Sequence, residues 1–508
     1  MRPGASSATH PPAGSGSTLS SRWIAEDGEG PLRLGQGEPL VERTKLGEPR
    51  ELIRELVSLV HLTDAHVLDP SSPARVPFLA RFGPPVQSTF RPQEALTAQV
   101  LSGAVNAIRA FTPDLVIQGG DLIDNAQNNE LTCALGVLGG QRIEPGSGAD
   151  GYHGVQLAAN PDPHYYRPDL DTPRHPGLLT QASRPFTSLG LKGDWLPVLG
   201  DHDTLVAGEL APTPLTQAVA VGDRALWEMP TELRLPTGLR LNTAGVPGEE
   251  PDTQLVDDFL RQALAGPTLR VPPDPARYEL SFEEVIERLW SACRAGAQPS
   301  ISAATAAATG RRLDYVRDLG DHVRIVVLDL VRRGGGSGGL ADSEQAAWLE
   351  QQLRESGTRW IMVVSHHPLQ DAAGGGPLLG LLDAEPRVVA TIAGHTHHNR
   401  ISPRETAAGG YWMITTCSLI DFPQQCRALR LYATSGGGIA LQTWMLDHVD
   451  NGPLGHIARE LAHLDAGDGR ATRACGRQRD RNATLFKSAA PARRGRSHRS
   501  ASGAVDAQ

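Results

Sequence analysis

An α/β fold of sandwich type is predicted by three features of the chain. Five short apolar runs, rich in β-branched residues, stop at a glycine, serine or threonine beside a carboxylate or imidazole. Segments of helical period lie between some of them, and further strand-like runs crowd the C-terminal half. Near-continuous apolar runs suit strands buried on both faces, as in sheets covered by helices.

In chain order, Leu56-Val57-Ser58-Leu59-Val60-His61-Leu62 is the first of these strands and stops at Thr63-Asp64. A helix is expected over 92–111, because Leu96, Val100, Ala104, Ile108 and Phe111 recur at helical spacing and Pro92 is tolerated in a first turn. Leu115-Val116-Ile117 then ends at Gly119-Gly120-Asp121, and Trp195-Leu196-Pro197-Val198-Leu199 at Gly200-Asp201. A strand near 322–330 precedes a second helix over 342–354, with Asp342 as N-cap, Gln345 three residues on, and Ala346, Leu349 and Leu353 as its apolar face. Trp360-Ile361-Met362-Val363-Val364 ends at Ser365-His366, and Val388-Val389-Ala390-Thr391-Ile392-Ala393 at Gly394-His395. Strands near 411–416, 428–432 and 438–445 complete a mixed sheet or two packed sheets.

The strand ends carry the chemistry. They read Asp64-Ala65-His66, Gly120-Asp121-Leu122-Ile123-Asp124, Gly200-Asp201-His202-Asp203, Ser365-His366-His367-Pro368 and Gly394-His395-Thr396-His397. In open α/β sheets, sites collect beyond the carboxyl ends of the strands. Oxygen and nitrogen ligands delivered from successive strand ends are what a two-metal hydrolytic site needs. Singly, each segment is ordinary: an Asp-x-His is commonly a surface pair, and a Gly-Asp after a strand is commonly a turn. Five in this order point to a metal centre, and Gly120, Gly200 and Gly394 fit turns that let backbone approach it closely.

The set, spanning Asp64 to His397, resembles the calcineurin-like metallophosphoesterase superfamily in a bacterial-type form; that family's pattern is DxH, GDxxD, GNH(D/E), H and GHxH. The resemblance implies a four-layer α/β/β/α sandwich with mixed sheets and two long insertions. It also implies a phosphatase or phosphodiesterase in which hydroxide bridging two ions attacks a phosphoester. By the same resemblance, one ion is held by Asp64, His66, Asp121 and His397. The other is held by Asp121, Asp201, His366 and His395, with Asp121 bridging. The ions are expected to be divalent or mixed-valence: Mn2+, Fe2+/Fe3+ or Zn2+. His202 is expected either to contact a phosphate oxygen or to protonate the leaving alkoxide, supported by Asp203. Asp124 is expected to accept from a metal-bound histidine, and His366 matches the ligand position better than His367. One residue departs from the pattern: Asp201 stands where the family has Asn. Its added charge would weaken the field on water and phosphate, or favour a ferric ion at the second site.

Composition bounds the rest. The 508 residues carry a formal net charge of −9, which exerts no global pull on nucleic acid. Residues 1–45, rich in Gly, Ser, Pro and Ala, are expected to be disordered, 46–450 to form the catalytic domain, and 451–508 a basic, disordered tail. From Arg470 onward that tail holds ten Lys or Arg against two Asp, including Arg493-Arg494-Gly495-Arg496. Insertions at about 126–194 and 204–312 are expected to form a cap. The first offers His153, His164, Tyr165 and Tyr166; the second offers a helix with Val285, Ile286, Leu289 and Trp290 on its apolar face. There is no signal-type apolar segment, no twin arginine near the start and no membrane-length run, so a cytoplasmic protein is expected. Cys133, Cys293, Cys417, Cys426 and Cys475 lack metal-type spacing. The expected substrate is a small phosphomonoester or phosphodiester. A nuclease of the same superfamily and a non-catalytic metal-binding interaction module are the alternatives. The oligomeric state is not specified by the sequence.

Overall fold

The first apolar run belongs to a longer strand, Leu52–Leu62, in which 57–62 are buried because the strand is paired on both sides. This computed structural model describes residues 16–25, 31–82, 87–228, 230, 232–234, 236, 250–294, 312–449, 452–467 and 475–490. Leu52–Leu62 lies within a seven-stranded mixed sheet ordered Val41–Leu46, Ala483–Lys487, Ile439–Asp447, Gln425–Thr434, Leu52–Leu62, Leu115–Gln118 and Trp195–Pro197. The last three run parallel.

A second mixed sheet has six strands, ordered Tyr315–Leu319, Val323–Leu328, Trp360–Ser365, Val388–Ala393, Tyr411–Thr415 and Arg400–Arg404. Its four middle strands are parallel. Parallel neighbours put their carboxyl ends on one rim, and their crossovers supply helices to cover the faces.

Leu59, Ile117 and Leu429 of the first sheet share one apolar cluster with Val327, Val364 and Ile392 of the second. Helix Thr97–Phe111 adds Val100, Ala104, Ile108 and Phe111 to it. The expected helix began at Pro92, but the chain forms a short 3-10 turn at Glu94–Leu96 first. On the other face of the second sheet, Ile361, Val363 and Val388 meet Leu349 and Leu353 of helix Ser343–Glu355 and Leu378 of helix Gly375–Ala384. Asp342 caps Ser343–Glu355 as expected, accepting from the Gln345 N–H at 2.8 Å, a contact worth about 1 kcal/mol. Gln345 does not close a capping box. Its amide donates instead to Asp314 and to the Asp329 carbonyl.

Both termini depart from expectation. Ser21–Ala25 pairs with Leu32–Gln36, and Val41–Leu46 edges the large sheet, so disorder up to residue 45 does not hold for 16–25 and 31–45. At the other end, Pro453–Gly467 is a helix and Ala483–Lys487 is an interior strand between Val41–Leu46 and Ile439–Asp447. The basic residues there are partly structural: Arg481 makes a two-pronged ion pair with Glu38, both contacts at 2.7 Å. Residues 1–15 and the Arg493-Arg494-Gly495-Arg496 cluster lie outside the described residues.

The insertions also enter the core rather than only capping it. Helix Asn128–Gly139 contributes Leu131 and Val137, and helix Phe282–Arg294 contributes Val285, Leu289 and Trp290. Helix Thr253–Leu264 builds a satellite cluster with Phe78 and Leu226. No described helix is long and apolar enough to cross a membrane.

Two outcomes follow from the C-terminal strand. Truncation before residue 475 is expected to lower Tm by more than about 10 °C, or to abolish soluble folding, because an interior strand is lost. A dispensable tail would leave Tm within about 2 °C in the same thermal melt. The second outcome concerns Lys487, whose buried amine donates to the Gly410 carbonyl and is pulled by burial down to about 8. The unfolded chain then binds more protons between pH 8 and about 10.5, so stability from this group rises with pH across that window and is at its poorest below it. Lys487→Met is therefore expected to raise Tm at pH 7, with the gain shrinking by pH 10.

Candidate metal centre

Five parallel strands bring their carboxyl ends to one rim. In the first sheet, Leu52–Leu62 leads to Asp64 and His66, Leu115–Gln118 to Asp121, and Trp195–Pro197 to Asp201. In the second, Trp360–Ser365 leads to His366, and Val388–Ala393 to His395 and His397. All seven expected ligands come together, in two groups close enough to hold metal ions: Asp121, Asp201, His366 and His395, and Asp64, His66 and His397. Asp121 borders both, with Oδ2 3.1 Å from His366 Nε2 and 3.6 Å from His66 Nε2.

The strand pairing continues past the strand ends and fixes these loops to each other. Asp64 N–H donates to Gly120 O and His66 N–H to Asp121 O, each at 3.0 Å, and Gly394 N–H donates to His366 O at 3.0 Å. Asp64, His66, Asp121, His395 and His397 all have positive φ, from 42° to 61°. A non-glycine residue there costs about 1–2 kcal/mol, so the surroundings must hold each one in place. Two of the expected glycines make room for this. A Cβ on Gly120, whose φ is 95°, would sit 2.4 Å from His366 Nδ1, and one on Gly200 would sit 2.1 Å from Asp121 Oδ1.

The ring nitrogens decide what fits between these groups. His66 Nδ1 lies 2.9 Å from Asp124 Oδ1 and His397 Nδ1 2.6 Å from Asp421 Oδ2, so each Nδ1 carries a hydrogen and donates it. Both Nε2 atoms are left as acceptors, yet they face each other at 3.2 Å. His366 repeats the pattern. Its Nδ1 donates to Gly119 O at 2.9 Å, while Nε2 is buried 3.1 Å from Asp121 Oδ2 and 3.3 Å from Asp201 Oδ1. Opposed lone pairs in a dry space repel, and either added protons or a shared cation removes the conflict. Protonation is one answer: burial lowers His366 and His397, but the carboxylates around each together outweigh it, Asp121, Asp201 and Asp64 at the first and Asp64 and Asp421 at the second, holding His366 well above its usual range and His397 up to about 9. A metal ion is the other answer, and mixed carboxylate and imidazole donors suit divalent first-row ions. The residues present fit the implied pair of ions.

Around the seven, roles divide differently from expectation. Asp203 does not support His202. Its Oδ1 accepts the backbone N–H of Leu122 and Ile123 at 2.8 and 3.2 Å, and its Oδ2 accepts that of Gly200 at 2.9 Å, tying the second and third motif loops together. Burial first, and Asp121 next, push the Asp203 carboxyl up to about 7. His202 is held by Asp124 instead, with Nδ1 2.9 Å from the Asp124 carbonyl and 3.3 Å from Oδ1. Asp124 therefore serves both His66 and His202. Burial works against its charge, yet hydrogen bonds from these two rings hold the carboxyl well below the usual range. Asn125 donates to Asp124 and Glu130, and Glu130 accepts the backbone N–H of both Asp124 and Asn125.

Asp421 and Arg91 were missed by sequence reasoning. Arg91 Nε donates to Asp421 Oδ1 at 2.6 Å, and Asp421 receives His397. Neither sits in a motif; the signal was positional, since Asp421 follows strand Tyr411–Thr415, which pairs with Val388–Ala393. Insertion aromatics expected at the site are committed elsewhere: Tyr165 is buried and donates to Trp227 O, and Tyr166 donates to Pro173 O. His153 reaches the Asp150 carbonyl.

No family model matches the chain, and no curated protein matches it. Among solved structures, the chain is similar to a dimetal phosphatase from Danio rerio, at 14% identity over 78% of this chain and 98% of the other, with a TM-score of 0.41. It is also similar to PhoD, at 11% identity over 87% of this chain and 81% of the other, with a TM-score of 0.33. Likenesses this distant carry no argument about activity.

Asp203→Ala leaves three backbone N–H groups without their acceptor, at about 1–3 kcal/mol each where burial persists. The expected result is a loss of about 3 kcal/mol or more in urea unfolding of the metal-stripped protein, with Asp203→Asn intermediate.

Proposed function

We propose that the protein is a dinuclear metal-dependent phosphoesterase acting on a small phosphomonoester or phosphodiester. The observation that carries this reading is the pairing of buried His66 with half-buried His397, whose Nε2 atoms face each other at 3.2 Å while carboxylates hold both Nδ1 hydrogens. One ion would be held by Asp64, His66, Asp121 and His397, and the other by Asp121, Asp201, His366 and His395. Two bound ions, of Mn2+, Fe2+/Fe3+ or Zn2+ type, supply Lewis acidity and activate water near neutral pH.

The chain's own residues do the rest. Asp124 and Asp421 fix the tautomers of His66 and His397 and raise their basicity as donors. Asp121 Oδ1 accepts the His202 N–H at 2.9 Å, which leaves Oδ2 for the ions and sets the histidine beside them. With its Nδ1 held by Asp124, the partly exposed His202 ring offers Nε2 to a phosphate oxygen or a leaving alkoxide.

A four-layer α/β/β/α arrangement is part of this reading, supported by the apolar cluster that the two sheets share and by helices on the far face of the second. A small substrate is favoured over nucleic acid because Arg481 of the supposed basic tail is spent on Glu38. A cytoplasmic location goes with five cysteines that form no disulfide.

The test is hydrolysis of bis(p-nitrophenyl) phosphate by metal-stripped protein reconstituted with Mn2+, beside His66→Ala. Activity that falls about 100-fold or more in the variant is expected; no turnover of this diester or of the monoester p-nitrophenyl phosphate with two ions bound overturns the hydrolase reading. Asp121→Ala is expected to lose both ions in elemental analysis, since its carboxylate borders both groups. Two ions retained after that change overturn the ligand assignment.

A further inference from the structure

His367 is a buried histidine beside the ligands that the two-ion reading leaves without a role. Its Nε2 lies 2.9 Å from Ser337 O and 3.2 Å from Asp201 Oδ1. A carbonyl only accepts, so Nε2 carries the hydrogen, donates it to Ser337 O and cannot also ligate an ion, while Asp201 Oδ1 lies beside the same N–H within charge-pairing distance. Nδ1 is buried with no hydrogen-bond partner among the described residues. The ring is packed against His366 and His395, with centroids 5.0 and 4.4 Å away, which fixes its direction.

Ser337 is itself anchored. Its Oγ donates to Glu209 Oε1 at 2.7 Å and its N–H to Oε2 at 3.3 Å, while Gly336 N–H donates to the Glu209 carbonyl at 2.7 Å. Glu209 opens the second insertion, seven residues after His202. One hydrogen-bonded run thus leads from the insertion through Ser337 to His367, whose Nε2 stands 3.2 Å from Asp201 Oδ1.

Asp201 Oδ1 needs such a donor. It also faces His366 Nε2 and His395 Nδ1, each at 3.3 Å, and has no hydrogen bond among the described residues. An N–H donated to an ionised carboxylate is roughly twice as strong as one donated to a neutral amide. We infer that His367 is a positioning residue matched to the carboxylate at 201: it holds Asp201 Oδ1 in place and offsets part of its charge, so that the second ion is bound alongside a third ligand carboxylate. The inference rests on the two-ion reading.

A double-mutant cycle over Asp201→Asn and His367→Ala tests it, read as Mn2+ dissociation constants by calorimetry on metal-stripped full-length protein. His367→Ala alone is expected to weaken the second Mn2+ at least about tenfold and leave the first within about twofold. In the Asp201→Asn background the same change is expected to cost less than about threefold. His367→Gln, whose amide still donates, is expected to recover most of the loss, which separates a lost donor from a lost fold. Two Mn2+ bound as tightly in His367→Ala as in the parent, or an equal loss in both backgrounds, overturns the inference and leaves the two-ion reading standing. Failure of a folded His367→Gln to recover also overturns it. A parent that binds no Mn2+ overturns both.

Discussion

Negative charge that cannot reach water is the constraint on which the rim depends. Asp64, Asp121 and Asp201 are all buried, and their oxygens converge on the same few imidazoles. Carboxylates in a low-dielectric space repel strongly and lose their hydration, so they persist only where cations or donors face them. Neutral imidazoles do not meet that need, because their free nitrogens are acceptors as well. Every feature of the rim answers this: aspartates that hold the outer hydrogens of His66 and His397, backbone donors aimed at Asp203, and an arginine behind Asp421.

Strain at five of these residues has the same origin. A strand end in ordinary extended geometry would send alternate side chains to opposite faces. The left-handed conformations at Asp64 and His66 break that alternation, and the loop-to-loop hydrogen bonds to Gly120 and Asp121 hold the break in place. Each loop is rigid only because its neighbour is. A site assembled from two sheets therefore keeps its shape without a dedicated scaffold for any single residue, and the cost is spread over the pairing that the parallel strands already provide.

The strands and their terminal ligands were legible in the sequence because both signals are local: an apolar run, then a sharp stop. The expected strand over 388–393 coincides with the observed one. What escaped was set by contacts distant in sequence. The run Ala-Thr-Leu-Phe-Lys at 483–487 is short and follows the charged stretch Arg479-Asp480-Arg481, and it becomes a strand because two neighbours are waiting for it. Asp203 looked like the partner of His202 because it is adjacent, yet chain neighbours at a turn point apart, and Asp124 fills that place from another strand end. Identical carboxyl groups are given different work by burial and by the donors in reach, and motif spacing records neither.

The buried base of the rim shows how far that dependence extends. Arg427 is fully buried in strand Gln425–Thr434, paired in register with His61, and His61 lies close enough to Asp64 to feel its charge. Its guanidinium donates to Asn399 Oδ1, Thr416 Oγ1 and the carbonyls of Asp480 and Arg481. Burial pulls even this group down to about 10. Asn399 sits two residues past His397, so the same cation that binds the C-terminal segment also holds the loop of the last ligand. A fixed positive charge beneath the rim offsets part of what the carboxylates bring to it. The segment around residues 478–487, remote from every motif, is in this way tied through Arg427 to the loop of the last ligand rather than being an appendage to the fold.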